Sequence, residues 1–134
     1  MCNSTRITTE CLIAGNPQTP EMLLRELAQS SEPTVRARVA ENRTTPVSTL
    51  LQLLSDADQE VRLSLLQNRS LPVMFLKQLA GDENPDLRYG LAEDSGLPTA
   101  ILQLLTRDEN PYVAHRAGKT LSGLGNSSFI KAAA

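Results

Sequence analysis

His115 is the only histidine in the 134-residue chain, and Cys2 and Cys11 are its only cysteines. Nucleophilic catalysis needs a Ser or Cys beside a base that is itself oriented by an acid. No Ser or Cys stands at a spacing that would set it with His115 and a carboxylate. One His and two Cys also fall short of four zinc ligands unless carboxylates are recruited. The chain has no Gly-rich phosphate loop and no HExxH helix, and its carboxylates recur as turn and surface residues rather than as a general acid and base. A protein without catalytic residues, metal or cofactor is expected, with His115 a surface or packing residue. Cys11 reads as a packing residue of an opening helix, the other reading being a redox-active thiol.

The regular polar chemistry lies elsewhere. Arg occupies positions 36, 62 and 88, with Ala114 next in the series; Asp occupies 56, 82 and 108, with Ser30 ahead of them. Pairing each Asp with the Arg six residues on would leave Arg36 and Asp108 over. Pairing Arg36 with Asp56, Arg62 with Asp82 and Arg88 with Asp108 uses every member, and this staggered ladder is the expected arrangement. Its bonds would tie a turn to a helix and set the packing angle; the competing readings are ligand binding by the arginines and solvated surface charge.

Behind these residues stands a repeat. Pro20, Pro46, Pro72 and Pro98 are 26 residues apart, and Pro33, Pro85 and Pro111 follow the same period in a second register, with Gln59 in the remaining slot. Leu24/Leu50/Leu76/Leu102, Leu27/Leu53/Leu79/Leu105 and Val35/Val61/Leu87/Val113 repeat with them. Four segments align without a gap, 15–40, 41–66, 67–92 and 93–118. Residues 1–14 form a leading half repeat, because TECLIAGN (9–16) aligns on VRARVAEN (35–42), and 119–134 form a cap or tail in which Leu121, Leu124, Phe129 and Ile130 cover the last apolar face.

Within each segment, the first proline register is expected in the opening turn of a short helix, where its missing N–H costs nothing. Leu23, Leu24 and Leu27, then Leu50, Leu51, Leu53 and Leu54, have helical spacing and should bury one face, the helices ending near Ser30, Ser55, Gly81 and Arg107. A polar turn follows, in which Asp58, Asn84 and Asn110 can cap a second helix that Pro85 and Pro111 open. The second helices carry narrow apolar stripes such as Val35/Val39/Ala40 and Leu87/Leu91/Ala92. Helices this short are unstable alone, so the stripes must bury against neighbouring segments. The expected fold is all-α.

The segment NPQTPEMLLRELAQSSEPTVRARVAEN (16–42) resembles the leucine-rich repeat variant, a bacterial repeat, and LLQLLSDADQEVRLSLL, LKQLAGDENPDLRYGLA and LLTRDENPYVAHRAGKTLSGLG are similar to HEAT and HEAT-like repeats. The resemblance spans nearly the whole chain and implies a right-handed α-solenoid, a superhelix of four two-helix repeats behind a half repeat. It also implies that some first segments could be 3₁₀ turns, that the Arg/Asp series corresponds to the HEAT ladder, and that the second helices line a concave face. Some members of the variant family hold an iron–sulfur cluster on an N-terminal cysteine cluster. Four thiolates are the usual requirement, so with two cysteines none is expected here.

On that face the outward positions are Thr34/Glu60/Asp86/Tyr112, Arg38/Ser64/Gly90/Arg116 and Glu41/Gln67/Glu93/Lys119. It runs from acidic at Glu60, Asp86 and Glu93 to Tyr112, His115, Arg116 and Lys119. Two readings stand side by side, a groove that binds a partner protein or peptide, with Tyr112 and Arg116 as anchors, and an ordinary solvated helix face. The expected function is a non-catalytic adaptor or scaffold. The alternative is a nucleic-acid-binding solenoid using Arg38, Arg116 and Lys119. Against it stand Ser64 and Gly90 in the same register, a net charge of −2 and no Trp. A homo-oligomer through apolar ends is a third reading. Apolar runs such as 71–76 are far below the ~18 residues of a membrane span. The opening residues, lacking a signal or transit pattern, lead one to expect a cytoplasmic location with reduced thiols.

Overall fold

The structure, a computed structural model, describes the backbone of residues 2–133 and the side chains of residues 4–124. The described residues form helices and no strand. In order they are α1 (Cys2–Gly15), α2 (Glu21–Leu27), α3 (Pro33–Glu41), α4 (Val47–Leu54), α5 (Gln59–Ser64) with a 3₁₀ turn at Leu65–Gln67, α6 (Val73–Leu79), α7 (Pro85–Ala92), α8 (Thr99–Leu105) and α9 (Pro111–Ala133). The first segments α2, α4, α6 and α8 are α-helical. They end at leucines, one to three residues before the positions expected from the sequence. The chain divides into two compact units, Met1–Phe75 and Leu76–Ala134.

The two proline registers start helices differently. Pro33 and Pro85 occupy the first turn, α3 following Glu32 and α7 following Asn84. Pro20, Pro46 and Pro98 instead sit one position earlier, as N-caps with ψ of 145°, 145° and 134°, which corrects their expected place inside the first turn. Their extended ψ turns the carbonyl into the helix, and Pro20 O accepts from the backbone N–H of both Leu23 and Leu24. Proline lacks a side-chain acceptor, so these helices start without the cap that a Ser or Asp supplies. Three of the second helices have one: Asp58 Oδ1 accepts from Glu60 N at 2.8 Å, Asn84 Oδ1 from Asp86 N at 3.0 Å and Asn110 Oδ1 from Tyr112 N at 2.9 Å, whereas Glu32 ahead of α3 makes no such bond.

In the N-terminal unit α3 packs between α1 and α5, with α2 and α4 against it. Its core is Leu24, Val35, Val39, Leu50, Leu53, Val61 and Leu65, all essentially without solvent exposure, each contributing about 1.5–3 kcal/mol on full burial. Leu51, expected in this core, is 56% exposed. Four leucines among five consecutive positions of α4 exceed what one helix face can bury.

In the C-terminal unit α9 packs on α7 and α8. The buried residues there include Leu87, Leu91, Leu102, Leu105, Val113 and Ala117. Helix α9 continues past Gly118 to Ala133 rather than breaking where the sequence leaves its period. The expected packing of Phe129 and Ile130 lies outside the described side chains, as does the state of Cys2. No helix among the described residues is long and apolar enough to cross a membrane.

Candidate functional site

The arginines of the regular series are structural in their geometry. Arg36 Nε and Nη2 donate to Asp56 Oδ2 and Oδ1 at 2.8 and 3.0 Å, a bidentate pair, while its Nη1 donates to Ser30 O at 2.8 Å. Arg88 repeats this with Asp108 at 2.8 and 3.2 Å and with Asp82 O at 2.6 Å. Arg62 is buried and donates from Nη1 to Asp56 O at 2.7 Å. The arrangement explains both gaps in the series. Ser30 needs no carboxylate because the arginine only requires its carbonyl, and Ala114 has no later Asp to meet.

Burial alone would push the Asp56 and Asp108 carboxyls up. The hydrogen bonds from Arg36 and Arg88, with those from the Asp58 and Asn110 N–H groups, outweigh it and hold both below the usual 3.8. Hydrogen bonding to Asp56 and Asp108 outweighs burial at Arg36 and Arg88 too, and raises both guanidinium pKa values.

A second series was passed over in the sequence. Asn42 Nδ2 donates to Ala14 O and Asn16 O at 2.8 and 3.0 Å, and Asn68 Nδ2 donates to Ala40 O and Asn42 O at 2.9 and 3.0 Å. Both asparagines are buried. Their Oδ1 atoms accept from the N–H groups of Thr44 and Ser70, so each side chain joins its own turn to the preceding one. The signal was available as Asn16, Asn42 and Asn68 at the same 26-residue period. It continues as Asp94, which is exposed and has no amide to donate, and Thr120, whose buried Oγ1 donates to Ala92 O at 2.5 Å.

With these groups committed to the scaffold, the outward positions of the second helices remain. In the N-terminal unit they border an open groove of about 540 Å³ over α1, α3 and α5, lined by Cys11, Thr34, Ala37, Arg38, Glu60 and Ser64 among others. A neighbouring hollow of about 560 Å³ shares Cys11 and Arg38. Arg38 is exposed and its Nη1 donates to Glu41 Oε2 at 3.2 Å, so the cation is partly neutralised within its own helix. Cys11 is a half-buried free thiol.

In the C-terminal unit, α7 presents exposed Asp86, Glu93 is exposed just past its end, and α9 presents exposed Tyr112, His115 and Lys119. Arg116 departs from the expected exposure. It is half-buried, and its Nε is fully buried without a hydrogen-bond partner among the described residues, a condition that costs roughly 1–3 kcal/mol for a polar group. Its stem is partly covered, unlike that of Arg38 at the same register, which is exposed.

Sequence reasoning also missed that Met22, Val47, Leu51, Val73 and Met74 of the first helices are exposed. No known protein family, curated protein or solved structure matches the chain.

Proposed function

We propose that the chain is a non-catalytic protein-interaction module, an α-solenoid of four 26-residue repeats and a leading half repeat that docks a segment of a partner protein on its second helices. The observation that carries this reading is the groove of about 540 Å³ across α1, α3 and α5. Its walls mix a thiol, a cation, hydroxyls and the carboxylates of Glu41, Asp58 and Glu60 on an open surface, which suits an extended peptide better than a small molecule that must be enclosed. The polar residues with the most regular spacing are spent on the scaffold, and the irregular ones face outward, as expected where selectivity for one partner resides.

The test is a tagged pull-down from native cell extract with nuclease and salt controls. Wild type is compared with Arg38→Ala/Glu60→Ala and with the first-helix variant Met22→Ser/Met74→Ser. A protein that survives nuclease, is reduced about tenfold or more by the groove variant and is retained by the first-helix variant supports the reading. Loss of all partners on nuclease treatment, with binding that falls steeply with salt, overturns it in favour of nucleic acid.

A further inference from the structure

We propose that the face of α9 bearing Tyr112, His115, Arg116 and Lys119 takes a short carboxylate-bearing segment of the partner, with the Arg116 guanidinium as its anchor. The inference rests on the reading of the second helices as a protein-binding surface and adds the chemistry of the occupant.

The first observation is charge segregation. All seven carboxylates of residues 76–134 precede Pro111, and α9 contains no Asp or Glu while carrying Arg116, Lys119, Lys131 and the only His. Positions 112, 115, 116 and 119 follow the i, i+3, i+4, i+7 spacing of one helix face.

The second observation is the state of Arg116. At Arg36 and Arg88 the Nε–H is met by an aspartate oxygen at 2.8 Å. At Arg116 the Nε–H is buried without an acceptor, and the guanidinium makes no hydrogen bond or ion pair among the described residues. The stem is therefore seated and the terminal fork is left without a counter-charge. A seated fork loses little conformational freedom when a carboxylate docks, and a carboxylate fits its two parallel N–H directions.

The third observation limits the occupant. Helix α7, packed on α9, exposes Asp86, and Glu93 is exposed just past its end; these carboxylates repel any anion and a run of phosphates most of all, so the occupant carries one or two carboxylates rather than a polyanionic backbone. Tyr112, 77% exposed one turn before Arg116, supplies an aromatic surface for an apolar neighbour of that carboxylate.

The experiment uses the full chain and a phage-displayed random dodecapeptide library, with a fluorescent 20-nucleotide single strand as the second probe. Peptides selected by wild type should be enriched about threefold or more in Asp and Glu. The best of them should bind Arg116→Gln about tenfold more weakly, Arg116→Lys at an intermediate level and Arg25→Gln, an exposed arginine of α2, within about twofold of wild type. Matching circular dichroism melts for wild type and Arg116→Gln show that the loss is not unfolding. Selection without acidic enrichment, or equal binding by Arg116→Gln, overturns the inference. So does binding of the nucleotide strand in place of any peptide. A protein captured from extract whose binding ignores Arg116→Gln overturns this inference alone and leaves the broader reading standing, whereas the absence of any captured protein overturns both.

Discussion

The two compact units use the same interior chemistry and opposite surface chemistry. In each, a bidentate Arg–Asp pair joins residues twenty apart, Arg36 with Asp56 and Arg88 with Asp108. In each, a side chain also donates to the carbonyl twenty-eight residues back, from Asn42 and Asn68 in one and from Thr120 in the other. On the outward face the units diverge. Arg38 is answered by Glu41 within its helix, and among the described residues no group answers the Arg116 Nε–H. Interior ties are alike because they satisfy a geometry common to every segment. Surface residues are free of that geometry and differ from one segment to the next.

The comparison can be broken most forcefully at the ladder. Asp108→Ala leaves a nearly buried Arg88 without its counter-charge, and about 3 kcal/mol of stability should be lost. Asp56→Ala should cost less, because the Arg36 side chain keeps 17% of its exposure against 9% for Arg88 and is better reached by water. Denaturant midpoints would measure both. Equal losses would show that the two pairs do not differ in solvation.

A middling effect is expected from the asparagine series. Asn68→Ala removes two bonds to buried carbonyls and should cost about 2 kcal/mol, whereas Asp94→Ala, at the same register but exposed, should fall within about 0.5 kcal/mol of wild type. Thermal melts of the two variants would decide it, and a large loss from Asp94→Ala would give that position a tie of its own.

The smallest effect is a dependence on pH. Asp56 and Asp108 have folded pKa values below the usual 3.8. Their contribution is therefore present above that value and is lost as pH falls through the lower folded values. Midpoints measured between pH 5 and 2.5, with roughly half-unit steps, should decline more steeply for wild type than for Asp56→Asn/Asp108→Asn. Parallel declines would show that other carboxylates govern acid unfolding.

Much of the helical organisation was legible because prolines and leucines recur at one fixed interval. The mistake over Pro20, Pro46 and Pro98 has a simple source. The ring sets φ and leaves ψ open, so proline suits both the residue before a helix and its first turn. Asn84 and Asn110 cap ahead of Pro85 and Pro111, but Glu32 ahead of Pro33 makes no side-chain cap bond, so the preceding residue does not by itself tell the two placements apart. Leu51 was misread because hydrophobicity alone does not say which leucine of a crowded helix turns outward.

The Arg36–Asp56 and Arg88–Asp108 pairs could be anticipated because the two ends of the series lacked opposite members. The asparagines were equally periodic, yet Asn in a turn has so ordinary a local explanation that its second bond goes unsuspected. The seating of Arg116 was not legible, since register places a Cα and says nothing of where a flexible stem comes to rest.

The spacing of the ties bears on how the chain reaches this state. Those bonds join residues 20, 26 or 28 apart and none reaches farther. The entropy lost in closing a loop rises with its length, so here it stays the same for each new segment however long the chain has become. Contacts this local favour rapid folding. A nascent chain can lock each turn onto the one made just before it, and no exposed apolar stripe has to wait for a distant partner to be synthesised.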